Sequence, residues 1–316
     1  MIGVIICWYG NFPDYFEFFL RSCEINTKYD FLIFTDQHYK TNIKNVKIIN
    51  MSFNELNLLF SKKLDFDVCI SKPYKLCDFR PAYGIIFEDY LKKYQFWGHC
   101  DIDQIFGKID DFVTQDILDK YEKINHNGHF SLYKNNKKMN ELFKKEGSVF
   151  SYKEVFASEK NYAFDEYTGI NMICKYNKIN EIYLNDFCDI NVRFNRYKCK
   201  NSYNKKYQIY SWENGHLYKY LICNNKIVKE NKMYLHFQKK KPRIDLNLTD
   251  ASKYFICSNG FIKFDVISVD LIKKYNKRPF FLYEEYEFIN YYFKKIFAFI
   301  KLDTDSKLIW IKQKKN

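Results

Sequence analysis

Three short apolar runs near the start of the chain, each closed by a polar break, constrain the fold more than any other feature. Residues 2–7 (Ile2-Gly3-Val4-Ile5-Ile6-Cys7) read as a buried strand that stops at Trp8-Tyr9-Gly10-Asn11, and an aromatic helix is expected from about Asp14 to Cys23. Phe31-Leu32-Ile33-Phe34 is a second strand, ending at Thr35-Asp36. Val46-Lys47-Ile48-Ile49 is a third, with a helix from about Ser52 to Ser61 behind it. This strand–helix–strand–helix rhythm predicts an α/β fold built on a mainly parallel sheet flanked by helices. Such sheets take ligands at the carboxyl ends of their strands, where both Tyr9 and Asp36 fall.

A fourth strand end carries more chemistry. In Trp97-Gly98-His99-Cys100-Asp101-Ile102-Asp103-Gln104-Ile105-Phe106-Gly107 an apolar strand runs into two carboxylates spaced i, i+2, and an apolar turn follows. Along a strand those side chains would point to opposite faces, but where the strand ends the chain bends and both can converge on one cation. Two carboxylates in apolar surroundings are costly unless paired or metal-bound. A divalent metal on one or two carboxylates, with phosphate oxygens in its other sites, is the usual arrangement for a nucleotide diphosphate. Asp101 and Asp103 are therefore expected metal ligands, although D-x-D also arises by chance among 38 acidic residues.

Other segments add candidates, each with a plainer alternative. Lys75 to Tyr94 reads as a helix, interrupted or entered around Arg80-Pro81. Lys75, Asp78 and Arg80 on it could face a phosphate or sugar hydroxyl, or form an ordinary helix-start charge group. Phe130-Ser131-Leu132-Tyr133 reads as a strand followed by a polar segment 134–140, and His129 just before it stands near the expected site or is structural. Asp165 and Glu166 precede a helix at Ile170–Ile173; they suit acceptor binding or a general base, and equally a helix cap. Tyr234-Leu235-His236-Phe237 is a late strand, and Lys239-Lys240-Lys241 follow it. His236 offers a third metal ligand and the lysines a phosphate cradle, unless the run is a solvated surface.

The charge of +13, from 51 basic and 38 acidic residues, suits an anionic partner. Nucleic acid is disfavoured, because the basic residues are spread evenly and no nucleic-acid-binding pattern occurs. Ten cysteines without C-x-x-C spacing exclude zinc ribbons and thioredoxin-type motifs and fit a reduced compartment. Met1–Cys7 lacks a basic n-region and a cleavage site, and no run of about 18 apolar residues exists. The expected location is cytoplasmic, including the inner face of the membrane. After about residue 276 the character changes: Phe280 to Leu302 interleaves Phe, Tyr and Ile with Glu and Lys, and residues 308–315 are apolar and basic. That tail suits an interfacial helix on anionic lipid or a packing or dimer helix, with Glu284, Glu285 and Glu287 weighing against lipid.

On four segments (Phe96–Gly107, Lys72–Gly84, Phe164-Asp165-Glu166 and Leu235–Lys241) the chain resembles GT-A-type glycosyltransferases, in particular poorly characterised bacterial ones from capsule and O-antigen synthesis. The resemblance implies a GT-A catalytic domain over residues 1–245 and an aromatic, basic C-terminal extension over 246–316. It also implies Mn²⁺ or Mg²⁺ on Asp101 and Asp103, and a nucleotide-sugar donor, a UDP-sugar first among them. The acceptor would be a glycan or lipid-linked oligosaccharide. The late segment His236-Phe237-Gln238-Lys239-Lys240-Lys241-Pro242 is similar to the closing motif of glycogenin-like enzymes and implies a metal-ligand role for His236 and phosphate contacts for Lys239–Lys241. The glycine and tryptophan that accompany that motif are missing here. In this scheme Tyr9, Asp36, Lys75, Asp78 and Arg80 serve the donor, and Asp165 with Glu166 the chemistry, Asp165 as base if the enzyme inverts. Two rival classes share these residues: a nucleotidyl- or phosphotransferase, which would want a glycine-rich phosphate loop, and a non-catalytic carbohydrate-binding protein.

Overall fold

The computed structural model describes residues 1–277 and 283–315. Fifteen strands among them follow in chain order: β1 (Ile2–Trp8), β2 (Tyr29–Thr35), β3 (Val46–Asn50), β4 (Phe96–Cys100), β5 (Gln104–Phe106), β6 (Lys123–Asn127), β7 (Phe130–Lys134), β8 (Glu181–Ile182), β9 (Cys188–Asp189), β10 (Gln208–Glu213), β11 (His216–Cys223), β12 (Lys226–Lys232), β13 (Tyr234–His236), β14 (Lys253–Cys257) and β15 (Gly260–Lys263). The central sheet has the order β3-β2-β1-β4-β7-β6-β8. The pairs β3–β2, β2–β1, β1–β4 and β6–β8 are parallel, and β4–β7 and β7–β6 antiparallel, so the sheet is largely parallel, as the alternation implied.

Helices cover both faces because the strands are apolar on both. Val4, Ile6, Phe31 and Ile33 pack with Phe16, Phe19 and Leu20 of α1 (Phe16–Glu24). The alternate residues Ile5, Leu32, Phe34 and Trp97 pack with Leu56 and Phe60 of α2 (Phe53–Leu64). Helix α2 starts at a capping box in which Ser52 and Glu55 satisfy each other's backbone N–H groups, contributing about 1 kcal/mol.

The helix expected over 75–94, interrupted or entered around Arg80-Pro81, is a chain of short pieces: 3₁₀ turns at Pro73–Lys75 and Arg80–Ala82, and helices at Leu76–Phe79, Tyr83–Ile86 and Glu88–Leu91. Pro81 has no N–H to return to Cys77, so the first turn cannot continue past it. Segment 134–140 holds a short helix, Lys137–Asn140, whose first turn is capped by the Asn136 side chain. The expected helix at Ile170 is α3 (Ile170–Tyr176).

A second sheet, order β12-β11-β10-β14-β15, is antiparallel throughout. Its first hairpin turns on Asn214-Gly215, both at positive φ (51° and 90°), the twist a two-residue hairpin needs. The pairing of β10 with β14 carries this sheet across the 245/246 boundary. The tail itself forms α4 (Tyr283–Ile300) and α5 (Thr304–Lys315); its residues 278–282 and 316 lie outside the described residues. No helix among the described residues is long and apolar enough to cross a membrane.

Candidate functional site

The site is assembled by a small third sheet, order β5-β13-β9. At the end of β4 the chain bends through Asp101-Ile102-Asp103, leaves the central sheet and enters β5. The Gln104 amide locks the bend by donating to the carbonyls of Asp101 (2.8 Å) and His129 (2.6 Å). Strand β13 pairs with β5 so that His236 lies opposite Gln104, and with β9 so that His236 lies opposite Asp189. The Phe237 N–H closes on the Asp103 carbonyl at 2.8 Å. Three carboxylates and an imidazole far apart in sequence thus meet by strand register.

His236 sits at their centre, 6 % exposed. Its Nε2 lies 3.2 Å from Asp103 Oδ1 and 3.7 Å from Asp101 Oδ2, and its Nδ1 lies 2.9 Å from Asp189 Oδ1. Burial disfavours a charged ring here, but Asp103, Asp189 and Asp101 outweigh it and push the His236 pKa up to about 10. Burial likewise opposes the Asp189 carboxylate, yet His236, His129 and Lys200 hold it below its usual range. His129 lies tilted against His236, ring centroids 4.4 Å apart, and its pKa is lowered, chiefly by burial and then by the charge on His236. The Asp101 carboxyl is raised by burial, partly offset by Arg80 and raised further by Asp103.

The ligating atoms of Asp101, Asp103 and His236 all lie within 4.8 Å of one another. Two carboxylates and an imidazole nitrogen, the ring oriented from behind by a third carboxylate, are a donor set suited to a small divalent cation. Arg80 pairs with Asp101, and His236 Nε2 faces Asp103, whose carboxylate favours the charged ring; a cation held by the same carboxylates would supply that positive charge. The residues present therefore fit a metal ion.

Arg80 ties this centre to the 163–166 loop. Its Nη2 pairs with Asp101, and its Nη1 donates to Asp165 Oδ2 (2.9 Å) and the Gly128 carbonyl (2.7 Å). Asp165 is buried, and burial raises its carboxyl well above the usual value in spite of Arg80. Glu166 accepts the Gly128 N–H at 2.9 Å.

Two cavities open on this group. One, about 300 Å³, lies between the end of β1 and the 73–83 segment, walled by Trp8, Tyr9, Pro73 and Tyr74. The other, about 600 Å³, is polar and holds Asp165, Glu166, Asp189, Lys200, His236 and Lys239. Both reach Tyr74, Arg80, Asp101 and Asp103. Tyr9 lies edge-on to Phe53 at 5.1 Å, and among the described residues its buried hydroxyl has no hydrogen-bond partner. Asp36 is exposed outside both cavities, where it accepts the Gly10 N–H (3.1 Å) and holds the turn after Tyr9.

Other expected contacts are engaged away from the cavities or in shaping their walls. Lys75 is fully buried and lines neither cavity: its ammonium donates to Asp78 Oδ2 (2.9 Å) and to the carbonyls of Val155 (2.8 Å) and Lys160 (2.5 Å). Asp78 touches the polar cavity, yet its oxygens accept the N–H groups of Tyr162 and Phe164 (both 3.0 Å at the nearer oxygen), so it shapes the loop that carries Asp165. Of the lysine run, Lys239 lines the polar cavity, Lys240 donates to the Phe194 carbonyl (2.7 Å), and Lys241 is exposed and on neither. Sequence reading missed Asp189, Lys200 and Gln238, whose amide donates to Asp189 at 2.5 Å. No local pattern marks them, because β9 has only two residues.

Comparison with known proteins adds little beyond this geometry. The profile of a family of unknown function, DUF6625, matches residues 4–265. No curated protein matches the chain. Among solved structures, a galactosyltransferase, LgtC, in complex with donor and acceptor sugar analogues aligns at 9 % identity and a TM-score of 0.31. The alignment covers 60 % of this chain and 75 % of that one.

Proposed function

The chain belongs to DUF6625, a family without an assigned function, and from its site we propose that it is a metal-dependent glycosyltransferase of GT-A type. It would move a sugar from a nucleotide-diphosphate donor, first a UDP-sugar, to a glycan hydroxyl. The observation that carries this reading is the convergence of Asp101, Asp103 and His236 at strand ends, between an aromatic cavity and a polar one. A cavity of about 300 Å³ with aromatic walls suits a nucleoside, and a polar one suits sugars.

Asp101, Asp103 and His236 would hold Mn²⁺ or Mg²⁺, which when bound would neutralise charge on the leaving diphosphate. Asp189 would keep the His236 ring turned toward the carboxylates. Tyr9 and Tyr74 would border the base, with the unpartnered Tyr9 hydroxyl free to bond it. Lys239 and Lys200 would supply positive charge on the polar side. Asp165, with Glu166 steadying Gly128, would meet the acceptor hydroxyl and take its proton if the reaction inverts. The acceptor we expect is a surface-polysaccharide glycan carried on a lipid-linked oligosaccharide. Its support is the resemblance of four segments to capsule and O-antigen enzymes.

Thermal-shift screening of UDP-, GDP- and CMP-sugars with and without Mn²⁺, followed by donor hydrolysis, tests the reading. One donor class should stabilise the protein only with metal, and Asp103→Ala should abolish its hydrolysis while the protein stays folded. If the whole donor panel gives neither stabilisation nor hydrolysis, the proposal is wrong. Metal-dependent nucleotide binding with phosphoryl or nucleotidyl transfer instead would assign the site to the rival class.

A further inference from the structure

Helix α4 has two faces with different surroundings. One is tied to the body. Glu284 pairs with Arg196 and Lys198, and Glu287 is buried and accepts the Asn195 N–H at 3.0 Å. On the same side the Arg193 guanidinium sits over the rings of Phe288, Tyr291 and Tyr292 at 5.7, 5.8 and 5.1 Å. Phe299 packs on Trp310 of α5 at 4.8 Å. The other face carries Tyr286, Ile289, Phe293, Ile296, Phe297 and Ile300, each between 54 and 62 % exposed. Their spacing of three and four residues puts them on one stripe roughly 100° wide.

Charge says what such a stripe would meet. Two of the three glutamates that weigh against a lipid contact, Glu284 and Glu287, are turned inward, leaving Glu285 exposed. Asp303 and Asp305 at the start of α5 are engaged by Lys160 at 3.2 and 3.0 Å. Lys294 and Lys301 remain exposed, and helical spacing sets both along one edge of the stripe. Glu284 and Glu287 are thus withdrawn from the surface and Asp303 and Asp305 share one lysine, while the stripe presents aromatic and aliphatic side chains edged by ammonium groups. In an antiparallel pair with a second copy, a two-fold axis would set that edge against its own like.

We propose that the exposed face of α4 docks onto an anionic lipid surface, its apolar stripe entering the headgroup boundary and its lysines meeting lipid phosphates. Helix α5, packed on α4, supplies Gln313 to the wall of the polar cavity, where its amide donates to the Asn161 carbonyl at 3.4 Å. Docking would therefore hold the cavity beside the surface. There a lipid-linked acceptor could reach the cavity, the one step that rests on the glycosyl-transfer reading.

The test is co-sedimentation of the full chain with phosphatidylcholine vesicles, with and without phosphatidylglycerol, in the absence of nucleotide. Binding should require phosphatidylglycerol and weaken with salt. Phe293→Asp with Phe297→Asp should cut partition by more than about tenfold, and Lys294→Glu with Lys301→Glu should remove the lipid selectivity. Circular dichroism and hydrolysis of a soluble donor should be unchanged in both variants. No partition, or equal partition onto neutral vesicles, overturns the proposal. So does a dimer in sedimentation velocity that Phe293→Asp dissociates. A parent chain that hydrolyses donor but does not partition sinks this inference alone, and a parent chain that partitions but hydrolyses no donor sinks the glycosyl-transfer reading alone.

Discussion

Lys75→Met separates a structural lysine from a donor-binding one. The ammonium is fully buried and bonds one carboxylate and two backbone carbonyls, while Asp78 in turn bonds the Tyr162 and Phe164 N–H groups. Burial holds the ammonium below its usual pKa although Asp78 favours the charge. Removing one partner of such a pair leaves a buried carboxylate without its counter-charge, at a cost of about 3–5 kcal/mol. For a chain of this length roughly 2 °C per kcal/mol gives a fall of about 6–10 °C in Tm. The Met stem replaces most of the lost volume, so the cost should fall on charge and hydrogen bonding rather than on a cavity. Urea unfolding and differential scanning calorimetry measure it, and the double variant with Asp78→Asn should recover part of the loss, a coupling of about 1 kcal/mol or more. Donor affinity per folded molecule should stay close to that of the parent, because Lys75 reaches neither cavity. A variant as stable as the parent that has lost donor binding would refute the reasoning and return Lys75 to the site.

Asp189→Ala should weaken Mn²⁺ binding by about 10–100-fold in isothermal titration without unfolding the protein, since the carboxylate orients His236 and is not among the three residues proposed to hold the metal. Asp30 accepts the Tyr94 hydroxyl (2.6 Å) and the Lys93 ammonium (2.9 Å); burial raises its pKa, but these bonds and the lysine charges lower it below the usual 3.8. Its folded pKa being depressed, its contribution is present above the unfolded value and is lost as pH falls through the folded one. Asp30→Asn should accordingly lose less stability than the parent between about pH 6 and pH 3 in urea titrations. Gly169→Ala would drive a Cβ against the Phe164 carbonyl and to 2.5 Å from its ring, shifting the loop that carries Asp165. Unfolding should show a cost of about 1–3 kcal/mol, and donor-to-acceptor transfer should fall more than donor hydrolysis.

Much of the fold is legible because its signals are local. β1 and β2 are buried on both faces, so their apolar runs stand out, and Ser52 with Glu55 announces α2. Asp101 and Asp103 are legible for the same reason, two acids on one short bend. Lys75 misleads because lysine is rarely buried and nothing nearby reveals the carbonyls of Val155 and Lys160 that receive it. Asp189 is invisible because its meaning lies in its pairing with a residue 47 positions away. The β10–β11 hairpin was missed despite its Asn214-Gly215 turn, since tyrosines and lysines blur the alternation on its strands. Pro81 marked the break in the 75–94 helix, but not the further break at Phe87.

The register of the three-stranded sheet bears on how the protein matures. Gln104, Asp189 and His236 are brought side by side only when β13 settles between β5 and β9, joining segments far apart in the chain. Pairings of such sequence separation close late, because the loop entropy must be overcome before they return any energy. A chain still emerging from the ribosome, or cut before residue 234, would hold Asp101 and Asp103 without their imidazole. On the glycosyl-transfer reading proposed above, metal capture would then mark the finished molecule.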